Sequence, residues 1–562
     1  MSYSAEQKTI RELLTSQLYR IPRNQRKYVW NQNNWEDLFL DLEFAAANKS
    51  KHFIGSIVLL KNKETVSGLS QYTVIDGQQR LFTITIFLVA LLYTMKKYNL
   101  EDDYYGTEKY IVAKDDKNAS HNVFSSSYHL GLDKMLSSVQ QLRFKEVLPV
   151  SAFIKLNVTD KQRDKNIIDA FNYFVEKIEA SCGNNNRQII TIRDSVINME
   201  YVKIEATTEE DSYTIFEILN ARGQNLADHE LLKNYVMRYI RPEEKVDVVK
   251  REWEDMEKLL GRGMNKYLFH YLIHKYKIDD SDKKDSYKAV KKYVKANEIE
   301  AFYTDFIQKA QYYSKIYNPT LKDGDDNEIC SSLEYSIFDF FKSKRQEQFR
   351  PVVLSLMHQK DLETLSDSDY EASLNFIKQF FICYTLIGKE KSNTITNVIS
   401  NYAYKLENEY SHKLLKDFFS SFKKRIPNND WFKKAFSTIG YSNCFKFYHD
   451  GKEVEKTKLV LETYERYLGA KDALEKYTIE HILPDSEGEQ NSNIGNLLPL
   501  EENLNKRCKN LPLEEKLTIY KESSFKSVQK FVKTYENKTN TFEVEKRMSH
   551  LADEFYNMIT HA

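Results

Sequence analysis

At 562 residues the chain has room for roughly two to four domains, and a hydrophobic content of 41% is enough to build real cores. Lys and Arg together number 82, as do Asp and Glu, so the net charge of zero excludes a global attraction to nucleic acid and leaves any such contact to local patches. With only 16 Gly and 9 Pro the composition predicts long helices with few breaks. The five cysteines (Cys182, Cys330, Cys383, Cys444, Cys508) are scattered and form no C-x-x-C pair, which argues against a disulfide framework or a structural zinc and suits a reducing cytoplasm. The start MSYSAEQKTIRELL is polar and amphipathic rather than a signal peptide. No apolar stretch approaches the roughly 18 residues needed to span a bilayer, so no membrane partner is expected.

The first hundred residues alternate strand and helix signals. SQLYRIP predicts a strand stopped by Pro22, WEDLFLDLEFAAA an amphipathic helix from Trp35, and HFIGSIVLL a buried strand. Between the first two lies IPRNQRKYVW. There Gln25 and Arg26 precede Tyr28 and Trp30, and two readings are open. The aromatics either pack in the N-terminal core, or join Arg26 on one side of an extended segment to meet a phosphate and an unstacked or modified base.

QYTVIDGQQR then predicts a strand ending in a turn, followed by the apolar helix LFTITIFLVALLYTMKK. A strand, a polar turn and a helix start together favour an anion, because the first helical amides are unpaired. Gly77 permits a tight backbone, Arg80 can clamp phosphate, Gln78 and Gln79 can orient a water or hydroxyl, and Asp76 can hold Mg²⁺ or act on the water. A DG turn with a solvated QQR is the purely structural alternative.

From about 100 to 185 a helical insertion is expected, with loops at KDDKNASHN and CGNNNRQ, before strands at QIITI and MEYVKIEA. IFEILNARGQNLADHELLKNY follows, in which Gly223 suits a helix C-cap and Asp228 the start of the next helix. Residues 236–425 read as helix packed on helix, with aromatics serving as core.

The C-terminal end reads YTIEHILPDS, NIGNLLPL and ENLNKRCKN. Cutting a phosphodiester needs a base and a hard cation. His481 can be the base, while a carboxylate with an amide oxygen suits Mg²⁺ or Mn²⁺. The ordered Glu-His, Pro, Asn and Asn-Lys elements resemble the HNH (His-Me finger) nucleases. That resemblance implies His481 as general base, Glu480 and Asn505 as metal ligands, and Asn496 as the residue that steadies the loop or the base. Asp485 lies close enough in sequence to compete with Glu480.

In order, IPRNQRKYVW, HFIGSIVLL, DGQQRLFT and the Asn220-Ala-Arg222-Gly223 block resemble the N-terminal nucleotidase domain of the GmrSD family of modification-dependent (type IV) restriction enzymes. That domain is similar to the ParB and sulfiredoxin fold. The resemblance implies that Arg222 and Lys233 lie near a bound nucleoside triphosphate, with Asp76, Gly77 and Arg80 holding it. It also implies that the N-terminal domain senses modified phage DNA.

The expected fold class is α+β and predominantly helical. Its parts are a ParB/sulfiredoxin-like nucleotide-hydrolysing domain over 1–235, a helical linking domain over 236–425 and a ββα-metal nuclease over 426–562. The expected function is an anti-phage endonuclease that hydrolyses a nucleoside triphosphate and cuts foreign, modified DNA. A nucleotide-controlled DNA-binding switch or nickase, a toxin-like RNase and a homodimer stay open.

Overall fold

Short apolar runs bounded by turn residues build a six-stranded mixed sheet in the first part of the chain, in the order β1-β8-β3-β4-β2-β7. The structure, a computed structural model, describes residues 3–560 except 23, 24, 26, 49, 127–129, 146–163, 184, 209, 210, 213, 217–226, 241–246, 281, 326 and 471–476. The chain falls into two units, Met1–Glu252 and Trp253–Ala562.

The first unit opens with β1 (Tyr3–Thr9), α1 (Ile10–Leu13), β2 (Gln17–Ile21), α2 (Gln32–Asn48), β3 (Phe53–Val66), β4 (Leu69–Asp76) and α3 (Gln78–Lys97). Pro22 ends β2 as the sequence predicts, and α2 begins three residues before Trp35. β3 runs antiparallel to β4 and parallel to β8, while β2 runs parallel to β4. α3 is long and apolar enough to cross a membrane by length and composition, contrary to the expectation above, but 94% of that stretch is buried inside the unit. Its buried Thr83, Thr85 and Thr94 hydroxyls each donate to the carbonyl four residues earlier, which explains how polar β-branched residues sit inside a core helix.

The insertion contributes α4 (Glu101–Glu108), a β5–β6 hairpin (Val112–Lys114, Ser120–Asn122), β7 (Phe124–Ser126), α5 (Leu130–Gln141) and α6 (Lys165–Cys182). It is therefore not wholly helical, since β7 adds an edge strand beside β2. The expected strand at QIITI is instead part of α7 (Arg187–Ile197). There Ile189, Ile192 and Val196 recur at helical spacing and bury one face, so tertiary packing overrides the strand preference of β-branched residues. β8 (Glu200–Ala206) returns between β1 and β3, and α8 (Asp228–Tyr239) follows. α2, α3, α6 and α7 share one core, in which Phe87 stacks on Phe174 at 4.4 Å, while Leu231 of α8 joins a smaller cluster with Val58 and Ile75 of the sheet.

The second unit begins within α9 (Val248–Leu260) and carries α10 (Met264–Lys275), α11 (Ser286–Tyr293), α12 (Ile299–Tyr317), α13 (Ser332–Ser343), α14 (Arg350–Asp361), α15 (Asp367–Phe381), α16 (Thr396–Asn408), α17 (His412–Lys423) and α18 (Asn429–Phe436). After α19 (Gly451–Tyr467) an antiparallel ribbon forms from β9 (Tyr477–His481) and β10 (Leu497–Glu501). The short α20 (Glu502–Cys508), then α21 (Leu513–Tyr520), α22 (Lys526–Tyr535) and α23 (Val544–Thr560) complete the unit. Ser331, Ser366, Ser411 and Asn428 start their helices by accepting from the N–H three residues on. The helices after Trp253 and the ribbon fall in one unit.

Inside the helical part, the fully buried Lys309 of α12 bonds the Asp305 carboxylate and lies 3.1 Å from Glu407 of α16. His358 Nδ1 is 2.9 Å from the other Glu407 oxygen, and Lys275 is 3.4 Å from both acids. Burial pushes the Glu407 carboxyl up, but His274, His358 and Lys309 outweigh it and hold the group well below the usual carboxylate range. Replacing Lys309 with Met leaves two acids short of an ammonium. It should cost about 3–5 kcal/mol of stability, read by chemical denaturation of the full chain.

Candidate functional site

At the end of β4 the chain turns at Gly77, whose φ of +92° favours glycine, and enters α3 at Gln78. A Cβ at Gly77 would also lie 3.1 Å from Ile57 Cγ1. QQR is thus the first turn of a helix rather than a loop. Arg80 Nη2 pairs with Asp76 Oδ2 at 3.3 Å, and Nη1 donates to the Ile54 carbonyl at 2.9 Å. Gly55 makes that crossing possible, since a Cβ there would stand 2.7 Å from Arg80 Nη1. Arg80 lines a cavity of about 310 Å³ together with Trp30, Asp37, Asp41, His52 and Phe53. His52 Nε2 lies 3.6 Å from Asp41 Oδ2.

Several residues expected to act on a ligand are committed to the scaffold instead. The Gln79 amide donates to the Lys27 carbonyl at 3.0 Å and accepts from Val29 N–H at 2.9 Å, so both its ends are taken. Gln25 is buried and donates to the Ile75 carbonyl at 2.8 Å, and Gln78 is also buried. Tyr28, considered above for base contact, is 4% exposed; it accepts from Trp35 Nε1 and shares a hydrogen bond with Thr83, each at 2.8 Å. An aromatic buried in this way cannot stack on a base. Among the described residues of that segment Trp30 alone lines the cavity, Arg26 and Arg222 lie outside the described residues, and Lys233 is buried in α8. Asp37, Asp41 and His52 were missed, because nothing in the sequence brings the helix around Trp35 and the start of the HFIGSIVLL strand to one cavity.

In the second unit, β9 and β10 pair so that His481 stands opposite Leu497. His481 Nε2 lies 2.8 Å from the Tyr441 carbonyl, and its ring stacks on Tyr441 at 5.6 Å. A carbonyl can only accept, so Nε2 carries the hydrogen and Nδ1 is the basic nitrogen of the neutral ring. Asp485 Oδ2 is 4.0 Å from His481 Nε2, and accepts from Ser442 Oγ at 2.8 Å and Asn443 N–H at 3.1 Å. Partial burial pushes the Asp485 carboxyl up, but the Ser442 hydroxyl and the nearby imidazole prevail and set it below its ordinary value.

Glu480 is not brought to this place. Successive strand residues face opposite ways, and Glu480 is buried behind the ribbon, accepting from Lys516 Nζ at 2.8 Å and Tyr520 OH at 2.9 Å. With an ammonium already on its carboxylate it is replaced by Asp485 as the acid beside the histidine, the competing position visible in the sequence.

Asn496 is fully buried and ties the loop. Its Oδ1 accepts from Leu483 N–H at 2.9 Å, while Nδ2 donates to the Leu483 and Asn491 carbonyls, both at 2.7 Å. Asn505 stands half-buried on α20, which packs against both strands, and its amide makes no hydrogen bond among the described residues. Asp305, His358 and Glu407 place ligand-type atoms within 4.8 Å of one another, but Lys309 and Lys275 already supply the cations there.

Two family models match the chain: the N-terminal domain of the GmrSD restriction endonuclease over residues 10–237, and the C-terminal domain of the GmrSD restriction endonucleases over 433–553. The chain belongs to the GmrSD-like type IV restriction endonucleases. Membership makes this GmrSD chain a DNA endonuclease of anti-phage defence. No curated protein matches it.

The C-terminal match contains the whole His481–Asn505 segment. In it Gly495 is fixed by close approach, since a Cβ would stand 2.2 Å from the Val544 carbonyl and 2.8 Å from Met548 Cβ. Gly495→Ala should therefore push α23 from the loop, costing about 1–3 kcal/mol of stability and lowering DNA cleavage. Denaturant melts and a cleavage assay on the same preparation check both.

Proposed function

We propose that this GmrSD enzyme cuts DNA by an HNH-type reaction in which His481 Nδ1 takes the proton from the attacking water. The observation that carries this reading is the Tyr441 carbonyl at 2.8 Å from His481 Nε2, which fixes the tautomer the reaction needs. Asp485, 4.0 Å from the ring, stabilises the imidazolium once the proton has moved. Asp485 and the Asn505 amide are the oxygen donors we assign to Mg²⁺ or Mn²⁺, which when bound would neutralise the charge developing on the phosphate. Asn496 holds the loop between them. The ribbon and α20 together are read as the ββα-metal finger.

At the other unit we assign the Arg80 cavity to a nucleoside triphosphate that the enzyme hydrolyses. The first-turn amides of α3 and the Arg80 guanidinium suit phosphate, Asp76 suits a cation or the water, and Trp30 offers an aromatic face at the same cavity. Recognition of modified phage DNA is assigned to this N-terminal domain, but not through Tyr28.

His481→Ala should lower DNA cleavage by about 10²- to 10⁴-fold with folding and nucleotide hydrolysis intact. Asp485→Asn should weaken cleavage in a way that raised Mg²⁺ or Mn²⁺ partly restores, whereas Glu480→Gln should act on the melting temperature. Cleavage by His481→Ala at the parental rate on every modified or plain phage DNA would remove the HNH reading. RNA cut in place of DNA would favour a toxin.

Arg80→Ala should abolish nucleoside triphosphate hydrolysis, because the cavity loses its guanidinium. The melting temperature reports separately on the lost Asp76 and Ile54 contacts. Hydrolysis surviving in a stable Arg80→Ala protein would eliminate the nucleotidase assignment.

A further inference from the structure

A second cavity, of about 390 Å³, lies within the second unit between α13, α15 and α19, on residues that neither active-site reading uses. Its volume is in the range of small-molecule sites. Lys378 and Gln379 of α15 line it from one side, and Glu462, Thr463 and Arg466 of α19 from the other. Its apolar wall includes Leu333 and Ile382. At Ile382 the regular helix gives way to a π-helical turn, Ile382–Ile387, a distortion frequent at functional sites.

The electrostatics are unusual. Lys378 has no carboxylate within ion-pair distance among the described residues, and its ammonium meets only the face of Phe340, 4.9 Å from the ring centre. Burial pushes its pKa down to about 8, and the Arg466 guanidinium adds to the effect while Glu462 opposes it. Glu462 is engaged elsewhere: its carboxylate accepts from Tyr477 OH at 2.9 Å. Among the described lining residues Lys378 and Arg466 thus set two cations against the single Glu462 carboxylate, one oxygen of which already accepts from Tyr477. A site with that imbalance is relieved by a bound anion.

We propose that this cavity binds a small phosphorylated molecule, its phosphate set between the Lys378 ammonium and the Arg466 guanidinium. Glu462 and Gln379 face the hydrogen-bond donors of the rest of the ligand. The site adjoins the nuclease ribbon, because Tyr477, the partner of Glu462, begins β9 and His481 ends it. An occupant therefore bears on the strand that carries the histidine.

The test uses the full chain carrying Arg80→Ala, so that phosphate binding at the first unit's cavity does not mask the second. Inorganic phosphate, AMP and uncharged adenosine are titrated by calorimetry at low salt. AMP or inorganic phosphate should bind and adenosine should not. AMP tighter than phosphate identifies a nucleoside monoester as the ligand class, and equal affinities identify orthophosphate; either supports the site. Adding Lys378→Met should weaken the interaction by roughly 10- to 100-fold, the loss of a charge-assisted contact. Arg466→Gln, at an exposed position that folding tolerates, should weaken it in the same direction. The proposal is overturned if neither phosphate probe binds at millimolar concentration, if adenosine binds as tightly as AMP, or if both variants keep the parental affinity with unchanged melting temperatures.

Discussion

Backbone that leaves helix and strand must still satisfy its N–H and C=O groups, and near a core water is not there to do it. Both candidate sites are built around that need. In the first unit Gln25 and residues 27–29 carry no strand pairing, so Gln25 bonds the Ile75 carbonyl and Gln79 takes Lys27 and Val29. In the second, the 482–496 loop is stitched by Asn496 and then fastened to α23 by Arg547, which donates to the Gly495 and Leu497 carbonyls at 2.7 and 3.1 Å. Burial pushes the Arg547 guanidinium down to about 10, with no carboxylate within ion-pair distance among the described residues, so its role is to hold carbonyls. The Gln25, Gln79 and Asn496 amides and the Arg547 guanidinium are, at these positions, what lets the neighbouring residues stand in fixed loops.

That constraint also explains what the sequence reveals. β2, β4 and α3 were legible because Pro22, Gly77 and an unbroken apolar run mark their bounds, and the sheet core follows from them. QIITI was misread because five residues rich in Ile satisfy strand and helix patterns alike, and only the partners on helices such as α2, α3 and α6 select the helix. The motif IPRNQRKYVW was correctly joined to DGQQR, yet the division of labour within the pair was not legible. Which glutamine meets a ligand and which meets a backbone carbonyl depends on contacts some fifty positions apart. The same holds for Asp485, whose partners Ser442 and Asn443 come from a segment more than forty residues upstream.

Zero net charge hides sharply different lysines. Lys96 is buried and gives its ammonium to the Gln140 and Leu142 carbonyls, each at 2.7 Å, and Lys309 is buried between two carboxylates. Lys516 meets Glu480 and the His481 carbonyl. In each case the cost of burying a charge is offset by oxygen acceptors. Lys378 is half-buried without such acceptors among the described residues, and it lines a cavity rather than a packed wall. A structural role accounts for the first three, and the fourth is the one left open to the proposed phosphate.

The pairing of Glu480 with His481 then acquires a physical reason that does not require both to touch one metal. On a strand the two side chains point to opposite faces, so a neighbour can steady the histidine only through the backbone. Lys516 makes that link: one ammonium bonds Glu480 Oε1 at 2.8 Å and the carbonyl of His481 itself at 2.6 Å, with Tyr520 completing the cluster behind the ribbon. The His481 ring is held from the other side by Tyr441, so its main chain and its side chain are fixed independently. In the proposed reaction a base held in this way would lose little orientational freedom when the substrate arrives, a preorganisation that adds to its basicity. Glu480 is in this sense a positioning residue. Its carboxylate holds Lys516, and Lys516 holds the His481 carbonyl, so Glu480 lies next to the histidine in sequence and behind it in space.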